Sequence, residues 1–173
     1  MRVTCERGCV GVMNGRAWNE RLRIVAVLCF LGALALPVMP GIKNWAVVAS
    51  AGSKLQDVPL ADLAKLCKGS QKAWADGKNF TLVMKDPEAP EMRVAVQKLF
   101  GVAPSEVKAV IARLNESRPV IRIVESDADL LRTVEETSGA IGIVDVYSIT
   151  TAVKVLRIDG KLPFDVGYAL KGS

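Results

Sequence analysis

The stretch Ser138–Tyr147, SGAIGIVDVY, constrains the fold more than any other part of the chain. Gly139 reads as a helix exit, and the run that follows is short and almost wholly apolar. That is the pattern of a strand covered on both faces, which places the chain in the α/β class.

The first 51 residues differ from the rest. They hold six Lys plus Arg against two Asp plus Glu, a net of +4, whereas the remainder carries seventeen against sixteen, a net of +1. The basic pI near 9.1 therefore belongs mostly to the leader and does not argue for nucleic-acid binding. Basic residues through Arg23, the apolar core Ile24–Leu36 and the small residues Ala49-Ser50-Ala51 follow the layout of a secretory signal. Residues 1–51 read as a signal peptide, with an uncleaved membrane anchor as the alternative because no residue between Arg23 and Lys43 is charged. The expected location is periplasmic or otherwise outside the cytoplasm, alternatively anchored at the inner membrane.

Residues 52–173 are long enough for one domain and too short for two. Of four cysteines only Cys67 falls in this part, so no disulfide staples it, and Cys67 reads as a small buried hydrophobe on a helix face. The chain has no histidine, which removes Ser-His-Asp and Cys-His chemistry and His-based zinc sites together. No Gly-rich phosphate loop is present, no cofactor is implied, and an enzyme is not expected.

Periodicity gives the order helix, strand, helix, helix, strand, helix, strand, strand. Asp57 is expected to cap a first helix bearing Leu60, Leu63, Ala64 and Cys67, with Gly69 closing it. A turn at Trp74–Gly77 leads to a strand at 79–85. Met92, Ala95, Val96 and Leu99 form one helix stripe, and Val107, Val110, Ile111 and Leu114 form the next. A strand at 120–124 precedes Ser126, which is expected to cap a helix with Asp129 as its reciprocal partner. A last strand is expected at 153–158, with Phe164 and Tyr168 packing on the domain surface.

Two segments, LADLAKLCKGSQKAWADGKNFTLV and SDADLLRTVEETSGAIGIVDVYS, resemble one lobe of the periplasmic phosphate-binding proteins of ABC transporters, and more closely their single-lobe relatives. The resemblance spans roughly residues 55 to 160 and implies an α/β sandwich lobe like one half of a type 2 periplasmic binding protein. Its functional implication is an exported, non-catalytic module recognising phosphate or another small anion. The alternative is a membrane-tethered interaction or assembly domain, with a protein partner or a second copy as its target. After the first strand the family carries a Ser/Gly/Thr-rich turn whose N–H groups hold an oxyanion at a helix start. Here the same place reads Asp86-Pro87-Glu88-Ala89-Pro90-Glu91, with fewer N–H donors and three carboxylates.

Ligand positions at the carboxyl ends of the strands would be Lys85, Ser126, Ser148, Thr150 and Thr151. Each has a plainer reading: a solvated strand end for Lys85, a helix cap for Ser126, a connecting turn for the other three. Trp74 could stack on a ligand, but such a residue more often plugs the end of a small core.

Overall fold

The computed structural model describes residues 43–171. The expected leader up to residue 42 lies outside them, and residues Gly41–Ser173 form one compact unit. Its strands are β1 (Trp45–Ser50), β2 (Asp57–Val58), β3 (Thr81–Met84), β4 (Ile121–Ile123), β5 (Ala140–Asp145), β6 (Val153–Val155) and β7 (Arg157–Ile158). Its helices are α1 (Leu60–Cys67), α2 (Arg93–Phe100), α3 (Pro104–Leu114) and α4 (Asp127–Glu136). Five strands make a mixed sheet in the order β4-β3-β5-β1-β6, and β2 pairs with β7 in a separate two-stranded ladder. Strand β3 runs parallel to β4 and β5, while β1 is antiparallel to both β5 and β6.

The expected boundary at 51/52 is corrected by β1. Trp45 to Ala49 are buried between β5 and β6, with Trp45 opposite Asp145 and Ala49 opposite Ile141. The small residues that read as a cleavage site are the end of a central strand and the turn after it. Alternation along β1 serves both faces of the sheet. Trp45, Val47 and Ala49 join α1, α2 and α3 in the larger core, and Ala46 and Val48 join α4 in the smaller one.

Strand β5 is the doubly covered strand that the sequence implied. Ile141 and Ile143 face the larger core and Ala140 and Val144 the smaller. Between the latter two, Gly142 lets α4 approach, since a Cβ there would lie 2.5 Å from Leu130 Cδ2 and 2.9 Å from Val134 Cγ2. The expected stripe of α2 is buried, as are Leu130, Leu131 and Val134 of α4, and α3 buries Val107 and Ile111 with Val110 and Leu114 packed at the margin.

Three local expectations are revised. Asp57 does not cap α1; it lies in β2, and the helix starts after Pro59 with Leu60 N donating to Asp159 Oδ1 at 3.0 Å. The expected last strand breaks at Leu156 because β6 stays with β1 while β7 leaves to pair with β2. Of the two tail aromatics, Tyr168 enters the core at 4% exposure and Phe164 stays 67% exposed. Cys67 is free and fully buried, and burial pushes its thiol pKa far up, so it is inert as a nucleophile.

Candidate functional site

Strands β3, β4 and β5 end on the same side of the sheet, and β1, being antiparallel, begins there. That end gathers Lys43, the 86–91 segment, Ser126 with the start of α4, and the 3-10 turn Val146–Ser148. Ser126 is the N-cap of α4 as expected: Asp129 N donates to Ser126 Oγ at 3.1 Å, and Ser126 Oγ lies 2.6 Å from Asp129 Oδ2. Its hydroxyl is therefore committed to the helix.

Asp127, one residue further, is the centre of the site. Lys85 Nζ reaches its Oδ1 at 2.6 Å from the end of β3, and Ser148 Oγ donates to its Oδ2 at 2.5 Å from the turn after β5. Two of the five expected ligand residues thus converge, but on a carboxylate belonging to the protein. Burial works against ionisation of Asp127; the hydrogen bonds from Lys85 and Ser148 and the charge of Lys85 outweigh it and hold the carboxyl below the usual carboxylate range. A depressed folded-state pKa adds stability that is fully present above the unfolded value, about pH 4, and is lost as pH falls through the folded one. The urea midpoint is therefore expected to drop as pH falls below about 4, and Asp127→Asn to flatten that drop. An equal slope in both proteins would show that Asp127 is not the linked group.

The Asp86–Glu91 segment is similarly self-satisfied. Lys108 on α3 lies 3.5 Å from Asp86 Oδ1 and 2.5 Å from Glu88 Oε2, and Lys43 lies 3.1 Å from Glu91 Oε1. Trp45 Nε1 donates to Glu91 O at 2.9 Å, which ties β1 to this turn. The Glu91 carboxyl is held low first by its own backbone N–H and then by Lys43. At the start of α4, and at the start of the 3-10 turn Pro90–Met92 that leads into α2, a side-chain carboxylate of the chain supplies the negative charge that the helix dipole favours.

Beside the cluster lies a cleft of about 520 Å³ lined by Trp45, Lys85, Asp86, Glu91, Lys108 and Ile123, among others. Ile123 is 46% exposed and Tyr147 82%, so two large apolar side chains stand in solvent at this end. Thr150 and Thr151 are exposed in the turn before β6, with no side-chain hydrogen bond among the described residues. Lys43 and Asp127 carry no local signal of a site; Glu91 is one of the three carboxylates legible in the Asp86–Glu91 segment.

Trp74 is the core plug expected of it, 8% exposed, edge-on to Phe80 at 5.4 Å, with Nε1 donating to Gly139 O at 2.8 Å. Among the described residues no group of His, Cys, Asp and Glu is placed to hold a metal ion, and no helix is long and apolar enough to cross a membrane.

No family model matches the sequence, and no curated protein does. Solved structures do match by fold. An ABC-type phosphate transport receptor from Vibrio cholerae superposes with a TM-score of 0.59 at 16% identity, covering 76% of this chain and 54% of its own. PstS from Borrelia burgdorferi gives 0.57 at 15%, covering 76% and 55%, and a phosphate-binding protein from Stenotrophomonas maltophilia gives 0.54 at 11%, covering 72% and 42%. The chain spans about half the length of the first two. The domain has the mixed α/β fold of a single lobe of the phosphate ABC transporter substrate-binding proteins.

Proposed function

We propose that this chain is an exported, non-catalytic recognition module that engages a protein partner through the carboxyl end of its sheet and has given up free phosphate. The observation that carries this reading is the placement of Asp127, whose carboxylate takes the donors of Lys85 and Ser148. An incoming oxyanion would have to displace that carboxylate and would meet Asp86, Glu88 and Glu91 as well. Exposed Tyr147 and Ile123 give the same end apolar anchors of the type enriched where proteins meet proteins. The leader delivers the module across the membrane, as a cleaved signal or as a tether.

The convergence of Lys85 and Ser148 beside Ser126 favours a second reading, a small-oxyanion site of the kind the similar structures are named for. Thermal unfolding of the full chain with millimolar phosphate, and with sulfate and chloride as controls, separates the two. A site filled at 100 times its dissociation constant adds about 2.7 kcal/mol, several degrees in a domain of this size. No phosphate-specific shift is expected for the wild type. Asp127→Ala, which vacates the anion position while leaving Lys85 and Ser148, is expected to gain one. A phosphate-specific rise in the wild type would establish the oxyanion reading instead.

A further inference from the structure

The opposite end of the sheet carries a separate cavity of about 390 Å³, lined by Leu55, Asp57, Val58, Leu66, Gln71 and Trp74, with Lys54, Pro59, Asp62, Ala75 and Asp76 around them. Trp74 precedes β3 and is hydrogen-bonded to Gly139, which precedes β5, so this cavity lies away from Lys85 and Ser148, which follow those strands. Its volume is in the range of small-molecule pockets.

The walls are held in place. Trp74 N donates to Lys78 O at 2.9 Å and Gly77 N to Trp74 O at 3.0 Å, which fixes the turn bearing the indole. Val58 is 3% exposed and Leu66 1%, so the apolar lining is part of the core.

The polar groups left over are mainly acceptors. The Trp74 indole N–H is spent on Gly139 O, and Gln71 Nε2 donates to Ala73 O at 2.8 Å, leaving its Oε1. Asp57 accepts Gly160 N at 3.0 Å through Oδ1 and has no ion pair among the described residues. Asp62 is paired with Lys65 at 2.8 Å and Asp76 with Lys78 at 3.7 Å, both exposed pairs of the kind worth little. Lys54 is the one cation in the lining, against three carboxylates. A ligand matching this cavity has an apolar body for Leu55, Pro59 and Trp74, backed by the buried Leu66 and Val58, and a positively charged, donor-only head for Asp57 and Gln71.

We infer that this cavity is a binding site for a small organic ammonium ion with an aromatic or aliphatic body, and that Asp57 supplies its counter-charge. The site is independent of the carboxyl-end surface and stands whichever reading of that surface holds.

Three probes of one shape test it on the full chain by calorimetric titration: 2-phenylethylammonium, neutral 2-phenylethanol and anionic 3-phenylpropionate. The ammonium is expected to bind at least about fivefold more tightly than either control, the size of one exposed charge contact. Asp57→Asn keeps the acceptor for Gly160 N and removes the charge, and is expected to weaken the ammonium about fivefold. Glu125→Gln, at the other end of the sheet, is expected to leave binding unchanged. No heat with the ammonium at about 10 mM, equal binding of the alcohol, indifference to Asp57→Asn, or an equal loss with Glu125→Gln would each overturn the assignment.

Discussion

A chain beginning at Gly52 is expected to remain unfolded where one beginning at Gly41 unfolds cooperatively. The difference between them is β1, which holds the centre of the sheet with Trp45 at 1% exposure and Ala46, Val47, Val48 and Ala49 at 0%. Strand β6 joins the sheet only through β1, so its removal detaches one strand and leaves β5 an open edge. Burying one large apolar side chain contributes about 1.5–3 kcal/mol, and whole domains are stable by about 5–15 kcal/mol. Loss of Trp45, Val47 and Val48 with two ladders therefore exhausts the margin. Urea titrations followed by circular dichroism decide it: a sigmoidal transition in the shorter chain would show that β1 is dispensable. If the leader is cleaved on export, the cut lies upstream of Lys43, because a mature chain starting after Ala51 would lack this strand. Mass determination of the exported form reads that directly.

Gly139→Ala is expected to destabilise the domain by about 3 kcal/mol or more, while Gly77→Ala costs about 1 kcal/mol. Both glycines sit at φ of +82°, so both substitutions carry the same left-handed backbone penalty. They differ in what surrounds them. A Cβ on Gly139 would lie 2.4 Å from the backbone oxygen of Asn79, which cannot rotate away, whereas a Cβ on Gly77 meets nothing within 4 Å. Gly139 also presents the carbonyl that accepts from Trp74 Nε1, so a shift there disturbs the core plug. A fall in melting temperature of about 10 °C for Gly139→Ala against about 3 °C for Gly77→Ala is expected. Equal falls would mean that backbone strain alone sets the cost at residue 139.

The sequence displayed the parts of the fold that rest on local pattern. Leu130, Leu131 and Val134 recur at helical spacing, Ser126 and Asp129 form their cap side by side, and β5 is apolar without a break; each can be read without knowing what lies opposite. Strand β1 could not be read this way. WAVVAS follows a basic and apolar leader and ends in small residues, so the local pattern of a strand and that of a signal's end coincide there. Only its pairing with β5 and β6 separates them. Residue 57 failed for a similar reason: an acidic residue before a helical stripe is the usual sign of a cap, but α1 takes its cap from Asp159, which is 99 residues away. At the carboxyl end, Lys85 and Ser148 were legible from the rule that ligands meet strand ends. That both would turn to Asp127 depends on three distant segments meeting, which no local spacing encodes.

The placement of β1 also sets a schedule for folding. Its partners on the two sides are β5 and β6, and the cap of α1 comes from the turn after β7, so the first strand of the domain waits for nearly the last residues to be made. Contacts of such long separation close slowly, because the intervening chain must lose its freedom before the pairing rewards it. During synthesis β1 finds its first partner only when β5, at residues 140–145, has emerged, and its second only with β6 at 153–155. On the export proposed above, a chain in that state is what a translocation channel would thread, and the strand that makes the finished domain coherent would delay its closure until passage is under way.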